Sequence, residues 1–292
     1  MDKSHATAAG MVTIPGNPEN IRGRMNAQDL YYCTQDGRKL RIRMMFPDQQ
    51  NKIMKYPLVF HIQGSAWMQQ NLNNHLLDLK DIVTNGYIVA IIEYTPVPEG
   101  IFPKQVEDCK RAFRFMMTQL DAYPIDANNL FLSGDSSGGH TALLCWATWQ
   151  QALLDTTTDA LPPLKGCIDL YGVTDLTTIA DYPSAVEHTH IDSPESQLLG
   201  GKIPRAHTEE AEKASIPFYL KENQQLVPLL IMHGNRDSVV PFEQSVTLFA
   251  HCQSFGIPAE FYAVDNADHG GSFFYCEDVL KVIVAFLKKH TK

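Results

Sequence analysis

The sequence lacks the features that mark several classes of protein. None of its 292 residues belongs to an apolar run close to the roughly 20 residues that a membrane-spanning helix needs. The first residues contain no apolar segment that could serve as a secretory signal peptide. Internal repeats and a glycine–proline period are also missing, which excludes repeat arrays and fibres. With 44% apolar residues, these absences predict a soluble globular protein with a sizeable core.

Positive charge is scarce. The 24 Lys and Arg residues are outnumbered by 33 Asp and Glu residues, which gives a formal net charge of −9 with His neutral. Nucleic acids and anionic membranes both require a basic surface on a protein that binds them. We therefore expect no nucleic acid and no membrane as partner, and favour a small-molecule ligand.

The six cysteines form no C-x-x-C pair. Most of them lie in apolar runs, where a free thiol behaves as a small hydrophobic group. They are Cys33, Cys109, Cys145, Cys167, Cys252 and Cys276. A reducing, cytoplasmic location is the simplest interpretation of this pattern.

Short apolar runs alternate with amphipathic stretches along the chain. The runs typical of strands buried on both faces are Leu58–Ile62, Tyr87–Ile92, Leu130–Leu132, Cys167–Tyr171, Leu229–Met232 and Glu260–Val264. The stretches with apolar residues at helical spacing are His75–Thr84, Lys104–Leu120, Thr141–Gln150, Phe242–Phe255 and Val279–Lys289. This alternation predicts an α/β fold with a mostly parallel central sheet and helices on both faces.

Two further features complete the predicted organisation. Leu30–Cys33 and Leu40–Met44 flank the turn dipeptide Asp36-Gly37, which predicts an antiparallel hairpin at the edge of the sheet. The segment 175–222 is polar and rich in proline, and it is too long for a simple connection. We expect a single domain over residues 1–292, in which 175–222 forms an insertion or lid.

The most informative motif is a G-x-S-x-G sequence formed by Gly134, Ser136 and Gly138. It lies directly after a predicted strand and directly before a predicted helix. A serine in such a tight turn projects its hydroxyl above the sheet, and glycine neighbours leave room for the backbone. The motif predicts that Ser136 is a catalytic nucleophile.

A serine hydroxyl needs a histidine to take its proton, and the histidine needs a carboxylate to orient it. After such a serine the usual chain order is acid and then histidine. Asp237 follows the strand Leu229–Met232, and His269 lies in a loop after the strand Glu260–Val264. We expect Asp237 and His269 to complete a catalytic triad.

The alternatives differ in strength. Asp175 also follows a strand and is the main rival for the acid. His61 and His233 lie at strand ends, where packing or local hydrogen bonding is the simpler interpretation. His188 and His190 form an H-x-H pair without a third ligand, a weak metal signal. We therefore expect neither a metal nor a cofactor.

The loop after Leu58–Ile62 has the sequence Gln63-Gly64-Ser65-Ala66-Trp67. It resembles the H-G-G-G-W or H-G-G-A-W loop of α/β-hydrolase fold esterases, with Gln63 in place of the His and Ser65 in place of the second Gly. The resemblance implies that the backbone N–H groups of Ser65 and Ser137, with Ala66 as a third, hold the oxyanion. It also places Gly64 and Trp67 at the substrate.

Other blocks narrow the resemblance. Tyr94, 98–103 and 106–108 are similar to a block of hormone-sensitive-lipase-like esterases. The segments 171–176, 192–201 and 214–217 look like a bacterial subgroup that includes feruloyl and acetylxylan esterases, distantly related to the prolyl-oligopeptidase family. The resemblance implies a serine carboxylic-ester hydrolase that removes acetyl or feruloyl groups from carbohydrate fragments.

Three other functions stay open. A prolyl-oligopeptidase-like peptidase would need an accessory propeller or an acidic pair that binds an amine. A general short-chain carboxylesterase or lipase would share the same triad. A non-catalytic binding protein of this fold usually lacks a triad member, whereas Ser136, Asp237 and His269 are all in place.

Overall fold

The computed structural model describes residues 4–14, 22–25, 29–48, 54–222 and 224–292. These residues form one nine-stranded sheet flanked by helices. The strands are β1 Arg22–Met25, β2 Leu30–Cys33, β3 Lys39–Asp48, β4 Tyr56–Ile62, β5 Ile88–Ile92, β6 Ile125–Asp135, β7 Gly166–Leu170, β8 Leu229–Gly234 and β9 Ala259–Val264. The helices are α1 Lys80–Thr84, α2 Lys104–Met117, α3 Ser136–Ala147, α4 Pro194–Leu198, α5 Thr208–Lys213, α6 Glu243–Ser254 and α7 Glu277–His290.

The sheet is antiparallel at one end and parallel elsewhere. Its strand order is β1-β3-β5-β4-β6-β7-β8-β9, and β2 pairs with β3 beside β1. From β5 to β9 every neighbouring pair is parallel. The carboxyl ends of these strands therefore meet at one edge of the sheet, where the loops after β4, β6, β8 and β9 come together.

The core lies on both faces of the sheet. In β4, Leu58, Phe60 and Ile62 pack in the apolar cluster that contains α2 and α3, whereas Val59 points into the cluster that contains α7. All four side chains are buried. A strand covered on both faces is mostly apolar, which is why β4 shows no polar alternation, with the buried His61 as the exception.

The predicted strands and α/β architecture are confirmed, with differences at the ends. The hairpin forms with Gly37 at a positive φ of 84°, but β3 is interior because β1 and β2 share its outer edge. Strand β1 was not predicted. Helix α3 begins at Ser136 rather than at Thr141, because the glycines that follow the serine belong to its first turn.

Segment 175–222 contains α4, α5 and three short 3₁₀ turns. It packs through an apolar cluster that includes Leu176, Ile179 and Leu198. A backbone hydrogen bond also connects the segment to the loop before α2, because Phe102 N donates to Leu198 O at 2.9 Å. Within the described residues, no helix combines the length and apolar character needed to cross a membrane.

Candidate active site

The nucleophile turn joins β6 to α3 at Ser136. Its φ is 51°, in the left-handed region that a side chain disfavours. The turn is close-packed, because a Cβ at Gly134 would lie 2.3 Å from Gly138 O, and one at Gly138 would lie 2.0 Å from Ile62 O. Glycine at these two positions therefore permits the sharp turn that presents the serine.

The structure brings the three predicted triad residues together. Ser136 Oγ lies 2.8 Å from His269 Nε2, and His269 Nδ1 lies 2.7 Å from Asp237 Oδ2. Asp237 and His269 follow β8 and β9, so their loops emerge at the same sheet edge as Ser136. This series of contacts is the geometry in which a histidine takes a proton from a serine while a carboxylate fixes its tautomer.

The Asp237 carboxylate is buried and fully hydrogen-bonded. Its Oδ1 accepts the N–H groups of Val239 and Val240, each at 2.8 Å. Its Oδ2 is also 3.1 Å from His233 Nε2, a local hydrogen bond of the kind expected at His233, but one that acts on the catalytic acid. Burial would raise the pKa of Asp237, but the hydrogen bonds from His233 and His269 outweigh it and hold the pKa well below its ordinary value.

A further carboxylate joins the acid loop to the histidine loop. Asp268 Oδ1 accepts the N–H and hydroxyl of Ser238 at 2.8 and 2.7 Å, and the N–H of His269 at 2.7 Å.

Asp175, the rival candidate for the catalytic acid, accepts the N–H and hydroxyl of Thr177 in a local turn. The geometry therefore favours Asp237 as the partner of His269.

The predicted oxyanion loop is held by the hydroxyl of Ser137. Ser137 Oγ accepts the N–H groups of Ser65 at 2.9 Å and Trp67 at 3.1 Å. Ala66, between them, has a φ of 53°, and its N–H meets no acceptor among the described residues. The sequence-based choice of Ser65 as second donor is thus disfavoured because that N–H is engaged, whereas Ala66 and Ser137 keep theirs available.

Trp67 is placed differently from the prediction. Its indole is 1% exposed, and its Nε1–H donates to His140 Nδ1 at 3.2 Å. His140 Nε2 donates in turn to Ala214 O at 2.7 Å, and burial lowers the pKa of His140 to about 4. Trp67 therefore anchors the loop to the insertion through His140 instead of contacting substrate, because its ring has no accessible face.

Gly64 lies against the nucleophile turn. A Cβ at this position would lie 2.6 Å from Asp135 O and 2.8 Å from Ser136 Cβ. Its N–H donates to Asp135 Oδ1 at 3.0 Å. Glycine at this position therefore allows the backbone of the oxyanion loop to lie directly against the backbone of the nucleophile turn.

His188 connects the insertion to the loop after β8 that carries Asp237. Its Nδ1 lies 3.0 Å from Glu195 Oε2 and its Nε2 lies 3.1 Å from Val239 O. Glu195 can only accept, so Nδ1 carries a proton, whereas Nε2 also lies 3.1 Å from the hydroxyl of Ser184. Burial lowers the pKa of His188, but the Glu195 hydrogen bond and charge outweigh it and raise the pKa.

A buried carboxyl group lies beneath the nucleophile helix. Asp169, in β7, is fully buried, and the backbone N–H of Gly172 faces its carboxyl group without full hydrogen-bond geometry. Glycine at 139 and 172 makes room for it, because a Cβ at either position would lie within 2.4 Å of Asp169 Oδ1. Burial raises the pKa of Asp169 to about 8, so its neutral form is the stable one at pH 7.

Comparison with known families gives one match that covers most of the chain. The sequence profile of the family described as BD-FAE matches residues 44–252. This range contains Ser136, Asp237 and the oxyanion loop, but ends before His269.

Curated relatives are more distant. The chain is 27% identical over 198 residues to a probable carboxylic ester hydrolase, LipM, of Mycobacterium tuberculosis, covering 65% of this chain and 43% of that protein. It is 26% identical over 246 residues to a probable isoprenylcysteine alpha-carbonyl methylesterase of Oryza sativa, covering 78% of this chain and 58% of that protein. The chain thus spans about half the length of these curated relatives.

Solved structures share the fold. A truncated form of a carbohydrate esterase from gut microbiota superposes with a TM-score of 0.78 at 22% identity, over 90% of this chain and 96% of that chain. Esterase B from Lactobacillus rhamnosis superposes with a TM-score of 0.75 at 16% identity, over 94% and 86% of the two chains. These similarities establish the α/β-hydrolase fold.

Proposed function

The chain belongs to the BD-FAE family, and on that premise we propose that it is a serine hydrolase of carboxylic esters that works through an acyl-enzyme. The observation that carries the proposal is the unbroken series of contacts from Ser136 Oγ through His269 to Asp237. Two relatives are named as a carboxylic ester hydrolase and a methylesterase, which supports a carboxylic ester as the bond that is cleaved.

The reaction begins with transfer of the Ser136 proton to His269 Nε2 as Oγ attacks the ester carbonyl carbon. The carbonyl oxygen becomes an oxyanion and accepts the N–H groups of Ala66 and Ser137. His269 then gives its proton to the leaving alcohol, and the acyl group stays on Ser136. Water, deprotonated by His269, attacks the acyl-enzyme and releases the carboxylic acid.

Asp237 stays ionised throughout this cycle. Its depressed pKa keeps the carboxylate charged, so it stabilises the imidazolium that forms on His269. The N–H groups of Val239 and Val240 occupy Oδ1, which leaves Oδ2 directed at His269 Nδ1. The acid therefore orients and stabilises the base and does not take its proton.

For the substrate, we propose acetyl or feruloyl esters of carbohydrate fragments. The carbohydrate esterase among the structural neighbours supports this choice. Segment 175–222, which packs against the acid loop, would supply the alcohol side of the pocket as a lid. The net charge of −9 favours a neutral substrate over an anionic one.

The test is hydrolysis of p-nitrophenyl acetate by the purified protein and by Ser136→Ala, with circular dichroism to show that both are folded. Ser254→Ala, at an exposed site on α6, serves as the matched control. We expect turnover to fall by at least about 10³-fold in Ser136→Ala and to be unchanged in the control. Equal turnover by Ser136→Ala and wild type would exclude Ser136 as the nucleophile, and no turnover by the wild type would favour a non-catalytic role.

Substrate class is tested by a panel of acetyl, butyryl, octanoyl, feruloyl and acetyl-xylooligosaccharide esters. We expect the highest kcat/KM on the acetylated oligosaccharide or the feruloyl ester. A strong octanoyl preference would indicate a lipase, and an equal response to all esters would leave the carbohydrate assignment without support. Faster cleavage of an aminoacyl amide than of p-nitrophenyl acetate would indicate a peptidase.

A further inference from the structure

A second cluster of titratable side chains adjoins the nucleophile, and the hydrolytic mechanism does not use it. Asp135, the residue before Ser136, faces His61 and His75. Its Oδ1 lies 3.2 Å from His61 Nε2, and its Oδ2 lies 3.6 Å from His75 Nε2. One donor atom from each residue lies within 4.8 Å of the other two.

The sheet register brings two of these residues together. His61 in β4 pairs with Ser133 in the parallel strand β6, and Asp135 follows Ser133 by two positions. Side chains two positions apart share a face of a strand, so His61 and Asp135 project to the same side. His75 reaches them from the turns that precede α1, and its ring lies 5.8 Å from that of His61.

The three groups converge, but the contacts of Asp135 with the two histidines, at 3.2 and 3.6 Å, are longer than a good charge-assisted hydrogen bond. His61 is fully buried, yet its Nε2 has no hydrogen-bond partner among the described residues, because the nearby Asp135 oxygen lies off the N–H direction. The 3.6 Å between His75 and Asp135 also exceeds hydrogen-bond length. A buried polar nitrogen without a partner is costly, so this arrangement favours a cation that all three groups can share.

The Nδ1 atoms of His61 and His75, which face away from Asp135, contact neighbouring polar groups that orient both rings. His75 Nδ1 lies 3.0 Å from Asp78 Oδ2, and His61 Nδ1 lies 3.2 Å from Ser133 Oγ. A carboxylate acceptor on Nδ1 keeps the proton there and leaves the Nε2 lone pair of His75 directed at Asp135. Metal-binding histidines are held in the same way, by a second group on the nitrogen that does not bind the metal.

We propose that His61, His75 and Asp135 bind a divalent transition-metal ion of the zinc type. Two imidazoles and one carboxylate are a common zinc donor set, whereas Mg²⁺ and Ca²⁺ prefer oxygen donors alone. Ligands at about 2.1 Å from a tetrahedral ion lie about 3.4 Å from one another. The observed separations of 3.2 and 3.6 Å lie on either side of that spacing.

The ion would stabilise the site without taking part in hydrolysis. Asp135 Oδ1 also accepts the N–H of Gly64, so the same carboxylate connects the nucleophile turn to the oxyanion loop. An ion that binds the folded protein and not the unfolded chain raises the unfolding temperature by mass action. The sequence prediction of no metal considered only the H-x-H pair at 188–190, because the three residues proposed here are far apart in the chain.

The test uses protein that has been stripped with EDTA and dialysed into metal-free buffer. Zn²⁺ and Co²⁺ are then added separately, and bound metal is measured by mass spectrometry of the metal content, with the visible spectrum of Co²⁺ as a second signal. We expect one ion per chain and a rise in Tm of roughly 5 °C at a hundredfold excess over Kd. These measurements do not depend on esterase activity, so they can fail while the proposed function stands.

His75→Ala is the central variant, because His75 is partly exposed and its loss leaves the buried core intact. The matched control is His190→Ala, an exposed histidine 3.5 Å from Asp192 without a third ligand. We expect His75→Ala to lose the bound ion and the Tm rise, and His190→Ala to keep both. Asp78→Asn should weaken binding about 10- to 100-fold while the metal-free Tm stays unchanged.

Two outcomes would overturn the proposal. If wild type binds neither ion and its Tm does not respond, His75 and Asp135 form only a proton-dependent ion pair. If His75→Ala binds the metal as wild type does, the ion is held by surface histidines elsewhere.

Discussion

His233 Nε2 lies 3.1 Å from Asp237 Oδ2, the same carboxylate oxygen that His269 Nδ1 contacts. His233 is fully buried, its Nε2 also faces Val240 O at 3.0 Å, and its Nδ1 lies 2.7 Å from Ser245 Oγ. A carbonyl and a carboxylate both accept, so the proton of His233 resides on Nε2, and the Ser245 hydroxyl donates to Nδ1. His233 therefore positions the catalytic acid.

We predict that His233→Leu lowers kcat by about tenfold or more, since a hydrogen bond to a charged group contributes about 1.5–3 kcal/mol. His233→Gln, which can still donate to Asp237, should recover most of the activity. The measurement is kcat on p-nitrophenyl acetate, with unfolding followed separately. Equal losses in both variants would show that His233 acts only through packing.

The next prediction concerns the hydroxyl of Ser137, which accepts hydrogen bonds from the N–H groups of Ser65 and Trp67. We predict that Ser137→Ala loses about 2 kcal/mol of stability, since two hydrogen bonds contribute about 1 kcal/mol each, and that kcat falls as the loop loosens. Met68→Ala, which removes an exposed side chain directly after the same loop, is the control. An increase in kcat for Ser137→Ala would restore Ser65 as an oxyanion donor.

The His188–Glu195 pair predicts a pH-dependent contribution of the insertion to stability. The pKa of His188 is raised in the folded protein, so its contribution is complete below the ordinary pKa of histidine and is lost as the pH rises through the raised value. His188→Gln should therefore lower Tm at about pH 6 and have a smaller effect at about pH 9. His190→Gln, in the same segment but exposed, is the control. A Tm loss that does not change with pH would contradict the prediction.

Asp169 predicts a second pH effect. Its folded pKa of about 8 lies above the ordinary value of 3.8, so the stability that its proton contributes declines above about pH 4 and is fully lost above about pH 8. Asp169→Asn cannot lose this proton and should be more stable than wild type at about pH 9, with a clearly smaller difference at about pH 5. Asp121→Asn, at an exposed site, is the control. Parallel Tm–pH curves for wild type and Asp169→Asn would show that the group is ionised in the fold.

Sequence patterns were sufficient where one side chain or one glycine sets the local geometry. The apolar runs predicted all the parallel strands, and the G-x-S-x-G motif located Ser136 at its turn. They failed where a contact between distant segments decides the outcome. The residues 75–79 form turns instead of the predicted helix, and His75 lies there against Asp135 and Asp78.

The loop 63–67 shows the same limit. Its small residues predicted an oxyanion loop, but which N–H is available depends on Ser137 Oγ, a group from another element. The burial of Trp67 likewise follows from His140 and from the insertion. Neither relation has a sequence signal, because hydrogen bonds between loops leave no spacing pattern.

The sequence by itself determined the order of the parallel strands and of the main helices between them, the strained serine turn, and the candidate acid and base in the loops after β8 and β9. Those properties depend on periodicity and on local steric constraints, which a chain carries in its own residues. Only the tertiary structure decided that Asp237 and not Asp175 meets His269, that His188 supports the acid loop, and that His61 and His75 converge on Asp135. These contacts exist because parallel strands bring distant loops to one edge, where side chains meet that no local pattern connects.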